Sequence, residues 1–141
     1  MAKIALPEPL VLANATIKIA TDNYEAATSG VTFTPSVPTS TVAFKAIDGS
    51  AYSKTTQGAS TWVCGIDFAQ DWKTTGSLSN YLHDHEGEEV EAVFVPEAGT
   101  GMPSFTATIT IQPGAIGGAA DGVATASVSL PSTKPVKALT A

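Results

Sequence analysis

Apolar and polar positions alternate with a period of two along most of the chain, the pattern of half-buried β-strands. Ala15, Ile17 and Ile19 alternate with Thr16 and Lys18, Val31 and Phe33 with Thr32 and Thr34 up to Pro35, and Val42, Phe44 and Ala46 with Ala43 and Lys45. Trp62, Cys64, Ile66 and Phe68 alternate with Thr61, Gly65 and Asp67, and Val90, Ala92 and Phe94 with Glu89, Glu91 and Val95. Phe105, Ala107, Ile109 and Ile111 face Thr106, Thr108 and Thr110, and Ala124, Ala126, Val128 and Leu130 face Thr125, Ser127 and Ser129. These runs predict about seven strands, each with one face in a core. Gly, Pro, Asn and Asp punctuate the gaps: Thr21-Asp22-Asn23 reads as a tight hairpin, residues 35–38 as a turn, and residues 114–122 as a flexible connection. Short strands at such spacing predict an all-β sandwich or barrel.

One segment breaks the alternation. Leu78, Tyr81, Leu82 and His85 fall at i, i+3, i+4 and i+7, one face of a helix. Ser77 is placed to cap its start and Gly87 to follow its end, so a single short helix is predicted at about 77–86. Outside the patterned middle, residues 1–13 carry Pro7 and Pro9, and residues 131–141 carry Pro131 and Pro135. Both ends are therefore read as extended arms flanking one domain at 14–130. Residues 47–60 are polar and long for a connection in a compact domain, which marks them as a functional loop.

Composition changes this picture in three ways. The 141 residues suit one domain with a core of its own. All seven basic residues are Lys, the formal charge is −6, and without arginine the chain lacks the planar fork that grips phosphate and guanine. Tight nucleic-acid binding is excluded on that ground, since an acidic surface repels a phosphate backbone. Only 14% of residues are charged, against about 25% in an ordinary soluble domain, so much of the surface is expected to be covered by neighbours. The opening Met1-Ala2-Lys3-Ile4 lacks the apolar stretch of a signal peptide, and no run approaches the length of a membrane span, so a protein made and kept in the cytoplasm is expected.

Candidate chemistry dissolves on inspection. Cys64, the single cysteine, lies on the apolar side of its strand and reads as a small buried hydrophobe. His83-Asp84-His85-Glu86 has two imidazoles two residues apart, which diverge on a helix, whereas metal-binding helical histidines stand at i and i+4. Asp84, Glu86, Glu88, Glu89, Glu91 and Glu97 form an acidic cluster with no Lys between residues 74 and 133. It reads as a solvated face, or as a patch that repels a polyanion or meets a basic patch on a neighbouring subunit. Gly114, Gly117 and Gly118 lack the flanking Lys and helix of a phosphate loop, and no nucleophile elbow is present. Trp62 is in register with the core, leaving Trp72 as the less settled tryptophan. No catalytic, cofactor-binding or metal-binding residue is assigned, and the chain is not expected to be an enzyme.

The run Phe68-Ala69-Gln70-Asp71-Trp72, then Ser77-Leu78-Ser79-Asn80-Tyr81-Leu82, His85-Glu86-Gly87, Phe105-Thr106-Ala107, Pro113-Gly114-Ala115-Ile116-Gly117-Gly118 and Val123-Ala124-Thr125-Ala126-Ser127-Val128-Ser129-Leu130 resembles the tail-tube (major tail) proteins of long-tailed bacteriophages, especially those of actinobacterial hosts. The similarity spans roughly residues 10–135. It implies a β-sandwich, barrel-like in assembly, with one helix, built into hexameric rings stacked head to tail as a virion tail tube. Inner strands of the subunits would then line a lumen through which the tape-measure protein and afterwards the genome pass, with other tail proteins at the tube ends and no specific DNA binding. Residues 47–60 and the two arms are the expected ring-to-ring contacts, and part of the stretch Glu86 to Glu97 the expected lumen wall. The competing class is a monomeric β-sandwich that displays loops or Trp72 to a carbohydrate or host-surface receptor.

Overall fold

In the computed structural model the described residues are 2–6 and 8–139; Met1, Pro7 and residues 140–141, all assigned to the arms, lie outside them. Residues 2–6 and 8–15 are exposed for most of their length and carry no regular structure, after which β1 (Thr16–Ile19) turns into the two-residue strand β2 (Asp22–Asn23). The turn residues are Ala20 and Thr21, and Ala20 takes φ +60°, the left-handed conformation that a tight two-residue hairpin demands. Next come β3 (Thr28–Ser36), β4 (Thr39–Lys45), β5 (Ala51–Gln57) and β6 (Thr61–Ala69). Helix α1 (Leu78–Asp84) follows, then β7 (Glu89–Val95), β8 (Pro103–Thr110), β9 (Thr125–Ser132) and β10 (Val136–Leu139).

All pairings are antiparallel, in the order β2-β1-β7-β8-β9-β6-β3, with β10 also on β8. β8 and β9 touch through one pair, Ile109 opposite Ser132, so the sheet divides there into two wings. One wing is β2-β1-β7-β8 with β10, and the other is β9-β6-β3. They fold over a shared core, as the approach of Phe33 on β3 to Phe94 on β7 records, with ring centroids 6.3 Å apart. The fold is thus all-β and sandwich-like with one short helix.

The core is the alternation made solid. Ile17 and Ile19, Cys64, Ile66 and Phe68, Ala92 and Phe94, Ile109 and Ile111, and Ala126, Val128 and Leu130 are all buried on the inner faces. Leu78 and Leu82 plug one end of this core from α1, while Tyr81 packs against Tyr24 at 6.0 Å. Ser77 caps the helix, its hydroxyl accepting from the amide of Asn80 at 3.4 Å. Gly87 takes φ +86° two residues past the C-cap His85 and donates its amide to the Ile111 carbonyl at 2.8 Å, which ties the helix to the end of β8.

Three expectations change. The run around Val42 and Phe44 is a strand, but β4 is exposed along its whole length rather than half-buried, because it projects beyond the core. Residues 47–60 are not a loop: they hold the tip of a hairpin and its returning strand β5, in register from Thr39 opposite Gln57 to Lys45 opposite Ala51. The C-terminal segment is not free, since β9 runs on to Ser132 and β10 adds itself to the edge of β8.

Candidate assembly surface

The dominant surface feature is the β4–β5 hairpin. β3 and β6 leave the body as a pair, and the same two chains continue into β4 and β5 past a break where the Gly58 amide bonds the Pro38 carbonyl at 2.8 Å. A seven-residue strand spans about 23 Å, and every residue of both strands is exposed. Two hydroxyl pairs lace the ribbon, Ser40 to Thr56 at 2.9 Å and Thr41 to Thr55 at 3.0 Å. Beyond them one face turns apolar, with Val42 opposite Lys54 and Phe44 opposite Tyr52.

The tip closes on Ala46, whose amide bonds the Ser50 carbonyl at 2.8 Å, and on Gly49 at φ +92°. Asp48 accepts from the Ser50 amide at 2.9 Å and from its hydroxyl at 2.6 Å, bonds that hold its carboxyl below the usual carboxylate range. Ile47 stands wholly in solvent beside it. An isolated two-stranded ribbon is marginal in water, and an exposed apolar face on one makes it a candidate interaction surface.

A second feature opens near the hairpin's base. Leu10, Phe33, Trp62, Phe94, Phe105 and Pro135 line an apolar groove of about 320 Å³ between the wings, with Lys134 beside them. The Nε1–H of Trp62 is buried and has no acceptor within the described residues. Lys134 has no ion-pair partner among the described residues. Edges are open as well: among the described residues β3 pairs only with β6, and β10 only with β8, leaving rows of unpaired backbone groups of the kind that recruit further chains.

The chemistry-bearing residues do not converge. Cys64 is buried, and desolvation pushes its thiol up to about 12, far from a reactive thiolate. His85 stacks on Tyr81 at 4.4 Å and pairs through Nδ1 with Glu88, whereas His83 lies edge-on to Trp72 at 5.9 Å. Among the described residues no three His, Cys, Asp or Glu side chains are grouped to hold a metal. Trp72 donates its indole N–H to Gln70 at 3.1 Å, and Gln70 in turn bonds Gly117 at both its carbonyl (2.9 Å) and its amide (3.0 Å), pinning the segment that contains Gly114, Gly117 and Gly118. Of the acidic cluster, Glu89 and Glu91 are exposed on the outward face of β7, opposite Thr110 and Thr108, while Asp84, Glu86 and Glu88 lie at the end of α1 and in the turn after it. No helix among the described residues is long and apolar enough to cross a membrane.

The candidate surface is half visible in the sequence. The pairing of Phe44 with Tyr52 has a local signal in the Asp48-Gly49 dipeptide, a strong short-range mark of a hairpin, which the loop expected over residues 47–60 leaves unused. No protein-family model matches the chain, and no curated protein matches it.

Proposed function

We propose that this chain is a structural, non-enzymatic protein of the tail-tube kind, which polymerises through copies of itself into stacked rings around a lumen. The observation that carries the reading is surplus surface. The isolated chain exposes 9609 Å², whereas a compact monomer of its 14.3 kDa mass exposes about 6,800 Å². The excess, about 2,800 Å², equals several standard contact patches of about 800 Å² per partner. Much of it is the hairpin, the arms and the apolar groove, features that gain stability only when another chain covers them. Low charge and open sheet edges support the same reading.

In this reading the rings are hexameric and stack head to tail, with β4–β5 reaching from one ring to the next. Contact between unlike surfaces adds subunits without closing, as a tube requires. The outward face of β7, with Glu89 and Glu91, forms part of the lumen wall, and its charge keeps the passing genome from adhering. Repulsion there acts within about 8–10 Å of the wall at physiological salt. The tape-measure protein fills the lumen before the genome, other tail proteins close the ends, and assembly takes place in the host cytoplasm before the tail joins the virion.

Negative-stain microscopy and sedimentation of concentrated protein test the proposal. Annuli or hollow rods are expected. Solitary particles of monomer mass at every concentration and in every buffer overturn it.

A further inference from the structure

The hairpin tip and the groove between the wings answer one another in polarity and charge. The tip offers Ile47 in full exposure, with Phe44 and Tyr52 behind it on one face and Asp48 beside it. The groove offers an apolar lining of Phe33, Phe94, Phe105, Leu10 and Pro135, and Lys134, which has no ion-pair partner among the described residues.

A chain's own tip cannot fill its own groove. Phe33 and Trp62 lie where β3 and β6 give way to the hairpin, and the tip stands a strand's length away from that point, about 23 Å at ~3.3 Å per residue. Tip and groove are unlike surfaces, so a copy that receives a tip without returning its own to the same neighbour still presents a free tip, and growth continues.

We propose that the tip of one copy, centred on Ile47 with Phe44 and Tyr52, inserts into the Leu10, Phe33, Trp62 and Phe105 groove of the next copy, with Asp48 meeting Lys134. This rests on the self-assembly reading above and names the surface that receives the hairpin. The translation between successive copies is then set by the hairpin's reach.

The test uses two variants of the whole chain, Ile47→Asp at the tip and Leu10→Asp at the groove. Both side chains are exposed in the isolated chain, so circular dichroism is expected to match the parent. Each variant alone needs at least a tenfold higher concentration than the parent to elongate, by sedimentation velocity. Mixed in equal amounts, the sound tip of Leu10→Asp enters the sound groove of Ile47→Asp, giving complexes of twice the unmixed mass that grow no further. In a second pair, Asp48→Lys and Lys134→Glu each weaken elongation and the double variant restores it to within about threefold. If the mixture stays at the unmixed mass, or either Asp variant elongates like the parent, the docking is wrong while self-assembly stands. A parent chain that never assembles removes both.

Discussion

Removing the hairpin is expected to separate folding from the proposed assembly. Residues 39–57 contribute nothing buried, and the Gly58 amide already bonds the Pro38 carbonyl at 2.8 Å, so an Asn-Gly turn can replace the whole ribbon. The body is expected to keep its stability to within about 1 kcal/mol, because no core contact is lost. Assembly is a different matter. Val42, Phe44 and Tyr52 are 59%, 64% and 58% exposed, and Ile47 entirely so. With full burial of such a side chain contributing about 1.5–3 kcal/mol, covering these four contributes roughly 4–8 kcal/mol per docked hairpin, an upper value before ordering costs. That corresponds to about three to six orders of magnitude in association. Thermal unfolding followed by circular dichroism reads the body, and sedimentation velocity with negative stain reads the assembly. Tubes formed at the parent's concentration, or a shortened chain that no longer folds, would refute the reasoning.

Four further outcomes follow from the same geometry. Leu82→Ala empties a fully buried site beneath the helix and costs about 2–5 kcal/mol, measurable by urea unfolding. Gln70→Ala removes the bonds to Gly117 and Thr125, costs about 1–3 kcal/mol, and raises hydrogen exchange at the Gly117 amide before the core exchanges. Cys64 has a folded thiol held at about 12, above its unfolded value of about 8.5. The unfolded chain therefore releases that proton first, and stability falls as pH rises from about 8.5 towards 12. Tyr24 and Tyr81, also raised by burial, act in the same direction; a Cys64→Ala chain showing the parent's full decline would contradict the thiol's share. Glu89→Lys with Glu91→Lys leaves tubes intact but makes them co-sediment with duplex DNA at low salt, and unchanged DNA retention would place those carboxylates away from the lumen.

Six of the strands were legible because each has one face in the core, and burial on one side of a pleat writes itself as alternation: Ile17 and Ile19, Cys64 to Phe68, Ile109 and Ile111 are where the pattern puts them. Ser77 and the 3.6-residue spacing of Leu78 and Leu82 marked the helix for the same reason. The hairpin defeated the reading in two opposite ways. β4 alternates like a core strand yet lies in solvent, and β5 is polar like a loop yet forms a strand, because both lie beyond the core, where one-sided burial does not fix the pattern. β10 was hidden for want of any periodicity in a short edge strand, whose place depends on β8 being left open beside it. The sequence alone thus determined the class of fold, the core and the poverty of charge. Tertiary structure decided that the two wings part to leave a groove at Trp62 and Phe33, and that Phe44 and Tyr52 meet across a ribbon in solvent. Those features arise from contacts between residues far apart in the chain, which local periodicity cannot encode.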